Sequence, residues 1–349
     1  MDKILPSYND PLFSILIITL LVLVVAVVSV IMGNYKEEKQ SKRLQNFLGT
    51  IDTAECTLDI EKLPFDSSLI TPLSLLANTF TIQGEYQKAI SIYLYLIEHI
   101  EPFFEKEHLL EGLGETYLKA GFLKRSESIF LELLHKRARN INALYHLEVV
   151  YEFLHEYDKA KETLKPLETM DEDIKSLKSH LELVTLLKDK SIEPQNKIDR
   201  LKSFITDSSY SYRQIIQELF RLDLDTAWES IEEDKVHSIL DILWFLPLSN
   251  LNFDIISSSN ILKSIFYAKG VLPDLKEIPQ SNIFAIDTIN FAQRGGSSDV
   301  DLSFTYGCSR CKRHFPISFD RCPNCYAINS IQIKETITKK ELQRGYSLL

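Results

Sequence analysis

Residues 12–32 carry no charge and are dominated by Leu, Ile and Val, with Ser14, Thr19 and Ser29 as the polar interruptions. A helix rises 1.5 Å per residue, so this stretch reaches roughly 30 Å, the hydrocarbon thickness of a bilayer. A secretory signal is the rival, but its apolar core runs to about 7–15 residues before a small-x-small cleavage site. Val27-Val28-Ser29 matches such a site poorly. The pattern predicts an uncleaved anchor over residues 1–35, with its span at 12–32. Lys3 precedes the span, whereas Lys36, Lys39, Lys42 and Arg43 follow it. Cations collect on the cytoplasmic side, so a single pass through the inner membrane is expected, with the bulk of the chain facing the cytoplasm.

After a juxtamembrane stretch at 36–69, the apolar positions take up a helical period that itself recurs about every 34 residues. The unit at 70–103 places Leu73, Leu76, Ala77, Phe80, Gly84, Tyr86, Ala89 and Tyr93. The unit at 107–140 places Leu110, Leu113, Gly114, Tyr117, Gly121, Ser126 and Phe130, and that at 141–174 places Leu144, Leu147, Tyr151, Tyr157, Ala160 and Leu164. This is the tetratricopeptide pattern. Small residues at two positions let paired helices cross closely, while aromatics fill the remaining groove. Beyond 174 the register decays, although Leu177, Leu181, Val184 and Leu187 keep helical spacing, as do Ile198, Leu201 and Ile205. Shorter helical stretches follow at 215–222, 227–231, 236–245 and 261–267. They are expected to continue the α-solenoid to residue 281 as degenerate pairs. Gly295-Gly296 lacks the rest of a phosphate-binding fingerprint, and 282–302 reads as a linker.

The tail changes the picture. Cys308, Cys311, Cys322 and Cys325 form C-x2-C-x10-C-x2-C. Two such knuckles can complete a closed tetrahedral shell of thiolates, which marks a structural metal site. Zinc is the expected ion; a single iron, as in rubredoxin, fits the same ligands and keeps an electron-transfer module open. Phe304, Tyr306, Phe315, Phe319 and Tyr326 supply a small core for a ribbon at 303–335, followed by a tail at 336–349. Arg310, Lys312, Arg313, His314 and Arg321 are expected to offset the charge of the thiolates. Cys56 stands alone as an inert thiol.

Composition narrows the function. With 39 Lys and Arg against 49 Asp and Glu, the net charge of −10 argues against a nucleic-acid binder, whose affinity rests on phosphate contacts. Eleven Gly and twelve Pro are few for 349 residues and suit a mainly α chain. The histidines, including His99, His108, His135, His146, His155 and His180, are scattered along repeat helices and form no catalytic constellation. The expectation is a non-enzyme without a small-molecule substrate, working through protein partners.

The order of anchor, tetratricopeptide array and four-cysteine ribbon resembles the lipopolysaccharide assembly protein B family (LapB, also YciM). The resemblance rests on the span at 12–32, on Gly84-Glu85-Tyr86-x-x-Ala89-Ile90 and Gly114-x-x-Tyr117-x-x-Ala120-Gly121, and on Cys308, Cys311, Cys322, Pro323 and Cys325. The closing Arg344-Gly345-x-x-x-Leu349 is similar too. The chain departs from the family at Lys312, where members tend to carry Gly, and in its eroded later repeats. The resemblance implies an adaptor at the cytoplasmic face of the inner membrane. Such an adaptor brings the lipid A-committing deacetylase to the FtsH protease and so limits lipopolysaccharide output. A membrane-tethered scaffold for another envelope complex is the alternative.

Overall fold

The computed structural model describes residues 64–170, 174–272, 280–297 and 299–340. The expected anchor at 12–32, Cys56 and the closing residues 341–349 lie outside them. Among the described residues no helix is long and apolar enough to cross a membrane. The chain is mainly helical and divides into two compact units, the first ending at Val150 and the second starting at Tyr151.

The first unit is built from α1 (Ile70–Gln83), α2 (Tyr86–His99), α3 (Phe103–Lys119), α4 (Leu123–Lys136) and most of α5 (Ile141–Phe153). Each helix buries one apolar stripe; on α2 it is Ala89, Ile90, Ile92, Tyr93, Tyr95 and Leu96. The turns explain the 34-residue recurrence. Gly84 and Gly121 sit at φ 86° and 79°, the left-handed conformation that closes a helix without Cβ strain. Behind them Glu85 N–H bonds to Phe80 C=O and Phe122 N–H to Tyr117 C=O. His155 occupies the same place after α5 at φ 61°, with Glu156 N–H on Tyr151 C=O, so the motif persists there without glycine.

The small residues act as the repeat pattern requires. Ser126 Oγ donates to the Gly114 carbonyl at 2.8 Å, and a Cβ placed on Gly114 would lie 2.7 Å from the Phe130 ring. Gly114→Val is therefore expected to destabilise the chain. Overpacking a core costs about 1–3 kcal/mol, more than the few tenths that valine gains over glycine in helix propensity. The urea midpoint measures it, and an unchanged midpoint would reject the close crossing of α3 and α4.

The second unit continues with α6 (Tyr157–Glu168), α7 (Lys175–Lys188), α8 (Pro194–Ile205), α9 (Tyr212–Leu222) and α10 (Leu224–Glu229). A 3-10 helix at Glu233–Ile239 leads into α11 (Leu240–Phe245), followed by α12 (Phe253–Ser258), α13 (Asn260–Ala268) and α14 (Phe284–Arg294). Side-chain caps set several starts: Ser211, Asp223, Asn252 and Ser259 each accept a backbone N–H of the first turn. Three antiparallel strands close the chain, β1 (Val300–Cys308), β2 (His314–Phe315) and β3 (Ile331–Lys339), in the order β2-β1-β3.

Two expectations are corrected here. Residues 282–302 are not a linker: α14 buries Ala285, Ile286 and Ile289, and Asn290 donates to Ser264 Oγ at 2.7 Å. The glycine pair lies at the end of this helix, with Gly296 at φ 85°. Nor is the ribbon bounded at 303 and 335, since β1 starts at Val300 and β3 runs to Lys339. Leu302, Phe304, Tyr306 and Ile333 belong to the same buried cluster as Leu219, Trp228, Ile265 and Ile286. The strands carry alternate apolar residues to one face, and the helices cover that face. Of the aromatic residues expected in the ribbon, Phe315 and Phe319, whose rings are 5.3 Å apart, pack with the cysteines, and Phe319 also touches the large cluster.

Candidate metal centre

The four cysteines come from the end of β1 and from two turns. Cys308 closes β1, Cys311 lies in the turn before β2, and Cys322 and Cys325 lie in the loop leading to β3. The two knuckles repeat one backbone design. Cys308 N–H donates to Arg313 C=O and Lys312 N–H to Cys308 C=O; Cys322 N–H donates to Ala327 C=O and Tyr326 N–H to Cys322 C=O, all at 2.9 Å. Each knuckle turns through a left-handed residue, Lys312 at φ 60° and Tyr326 at φ 56°. A side chain there costs about 1 kcal/mol relative to glycine. This is the backbone reason a glycine suits the position after the second cysteine.

All four Sγ atoms lie within 4.8 Å of one another. The pairs Cys308–Cys325 and Cys311–Cys322 are 3.7 Å apart. Four sulfurs at about 2.3 Å from a tetrahedral ion stand about 3.8 Å apart, so the donor set fits a metal of zinc's size. The separations are far beyond the ~2.05 Å of a disulfide, and all four are free thiols.

The electrostatics favour a cation. Burial works to push the Cys308 thiol up, yet the Cys311 N–H and the Ser330 hydroxyl, whose Oγ is 3.3 Å away, bring it down to about 6. For Cys311, burial is likewise outweighed, by the Arg313 N–H, and the thiol falls. Burial wins at the other knuckle, pushing Cys322 up to about 12 and raising Cys325. Thiols crowded this closely cannot all ionise against one another, and a bound dication removes that conflict.

The cationic surroundings divide. Arg310, Lys312, Arg313 and His314 are exposed around the site. Arg321 is not available to the thiolates as expected. It is buried, its Nε and Nη2 donate to Glu152 Oε2 at 3.0 and 2.5 Å, and its Nη1 donates to Tyr326 C=O at 3.0 Å. His180, buried on α7, completes the cluster with Nε2 at 3.1 Å from the same carboxylate oxygen. A second buried network ties the sheet to the helices: Arg213 forks onto Asp241 at 2.5 and 2.6 Å, and Tyr306 Oη donates to Asp241 at 2.7 Å. Trp244 Nε1 adds a bond to Asp301 at 3.0 Å.

Sequence reasoning passed over Glu152 and Asp241. Asp241 did leave a signal, as the one charge inside the apolar run 239–246. His180 joins the Glu152–Arg321 network, whereas His99 stacks with Phe65 and His146 on Phe130.

No protein-family profile matches the chain. It is similar to lipopolysaccharide assembly protein B from Escherichia coli strains K12, O6:H1 and O157:H7. The identity is 29% over 117 residues, which covers 33% of this chain and 30% of each relative. The match thus spans under a third of the relatives' length.

Proposed function

We propose that this chain is a non-enzymatic adaptor that regulates lipopolysaccharide assembly from the cytoplasmic face of the inner membrane. The observation that carries this reading is the pairing of repeat helices with a four-cysteine centre in a chain similar to lipopolysaccharide assembly protein B. In this reading residues 12–32 anchor the chain, and the repeat helices at 70–174 and their degenerate continuation to 281 receive protein clients. The lipid A-committing deacetylase and the FtsH protease are the proposed partners. Cys308, Cys311, Cys322 and Cys325 hold one zinc ion. A four-thiolate ion with no open position supplies cross-linking and no reactive chemistry. The chain's own groups do the rest: Arg321, through Glu152, and Tyr306, through Asp241, fasten the ribbon to the helices of the second unit.

Tethering is the testable part. A membrane anchor raises the local concentration of client near a membrane protease, by factors of roughly 10²–10⁴ in avidity for linked sites. Removing residues 1–35 should leave a folded, metallated chain but abolish regulation. The readouts are the deacetylase level and lipopolysaccharide per cell in a strain carrying each version. If the unanchored chain restores both, tethering is dispensable. If complete deletion changes neither, the chain serves another envelope complex as a scaffold.

A further inference from the structure

A cavity of about 580 Å³ opens beside the β-sheet, within the ~300–1,000 Å³ range of small-molecule sites. Its walls come from the start of α9 and the loop before it, from the 3-10 helix ahead of α11, and from all three strands. Among the described residues fourteen line it, and none of these is a carboxylate. A chain with 49 carboxylates among 349 residues would place about two in such a set, so the cavity runs against the acidity of the whole molecule. Arg213, His237, His314 and Lys334 all face it instead.

These four groups are not equally engaged. Arg213 is held by Asp241, and His237 lies 3.4 Å from Glu335. The side chains of Lys334 and His314 have neither an ion-pair nor a hydrogen-bond partner among the described residues, although both line the cavity. Ser208 and Gln332 likewise add side-chain groups with no partner there. Ile331 and Ile333 give the cavity an apolar wall. An unspent ammonium and an imidazole beside hydroxyl and amide groups match an anion attached to a hydroxyl-rich body. A lysine ammonium binds phosphate as a point charge, and charge-assisted bonds are about twice as strong as neutral ones.

We propose that this cavity binds a phosphorylated polyol, with the phosphate against Lys334 and His314 and the hydroxyls against Ser208 and Gln332. The site lies outside the cysteine cluster and goes beyond the adaptor reading, on which it does not depend. A ligand there bridges the sheet that ends on Cys308 and the helix that carries Arg213.

Calorimetry on the full, metal-loaded chain tests this with glucose 6-phosphate, glucose and inorganic phosphate as probes. Vesicles of phosphatidylcholine with or without phosphatidic acid form a second arm. Glucose 6-phosphate should bind at least about tenfold more tightly than glucose, and Lys334→Gln and His314→Gln should each weaken it about tenfold. Lys165→Gln, at an exposed lysine paired with Glu162 on another face, should leave binding unchanged. Should the phosphate belong to a lipid headgroup, phosphatidic acid vesicles will bind through the same two side chains in place of the sugar phosphate. Tryptophan fluorescence verifies that each variant is folded. The proposal is overturned if no phosphate probe binds the folded wild type at millimolar concentration, or if binding survives in both variants. It is equally overturned if a polyglutamate peptide binds through Lys334 while the phosphate probes do not.

Discussion

Replacing Cys308 or Cys325 with serine should take the metal content from one ion per chain to none and unfold the knuckles. Apparent binding free energies of structural zinc in small peptides run to about 10–16 kcal/mol, as large as the whole stability of a typical domain. Without the ion, the knuckles retain a few backbone bonds and two aromatic rings, Phe315 and Phe319. The effect should travel further than the ribbon, because Leu302, Phe304, Tyr306 and Ile333 are part of the helical core of the same unit. The chain has two tryptophans, Trp228 and Trp244, both buried in that core, and Trp244 bonds to Asp301 on β1. Chelation should therefore shift tryptophan emission to longer wavelength as well as remove the metal. A serine variant that keeps one ion per chain would refute the four-thiolate shell. Metal loss without an emission shift would confine its influence to the knuckles.

Arg321→Gln should cost about 3–5 kcal/mol, since it leaves the Glu152 carboxylate buried beside His180 without its guanidinium. The double variant Glu152→Leu, Arg321→Met should recover part of that loss, because no uncompensated charge remains. The two variants separate a buried pair from a surface pair, for which both costs would stay under about 1 kcal/mol. Acid offers an independent measure. Burial raises the Glu152 pKa, but the His180 hydrogen bond and the Arg321 charge outweigh it and bring the group down to about 2 from its ordinary 4.5. A depressed carboxylate stabilises the fold above its unfolded pKa, and that contribution is lost as pH falls through the folded one. The shift corresponds to about 3 kcal/mol, present at pH 7 and fading between about 4.5 and 2. The stability gap between wild type and Glu152→Gln, followed by urea unfolding, should shrink across that window. A gap independent of pH would remove Glu152 from the account.

Glu152 also shows where reading the chain ran out. It follows Tyr151 on α5, a helix the periodicity identified from Leu144 and Leu147, yet its partner Arg321 is 169 positions away. Nothing in the spacing of either residue announces the other. Arg321 looked like one more cation near the thiolates, since it adjoins Cys322, and its side chain turns instead to the helix. Asp241 and Tyr306, separated by 65 positions, have the same history.

Local chemistry was legible from the order of residues. The left-handed turns at Gly84 and Gly121, the close crossing at Gly114 and the gathering of Cys308, Cys311, Cys322 and Cys325 follow from short-range geometry, in which a few neighbouring residues decide the backbone. The extent of the ribbon was not legible. Its strands alternate like any half-buried strand, and α14 carries the stripe of any surface helix. Which surface each one buries depends on partners distant in sequence. Burial is non-directional, so a stripe states that it will be covered without stating by what. That decision fell to packing, which joined β1 and β3 to the helices, turned an expected linker into α14, and, among the described residues, left the Lys334 and His314 side chains unpaired beside a cavity with no carboxylate in its walls.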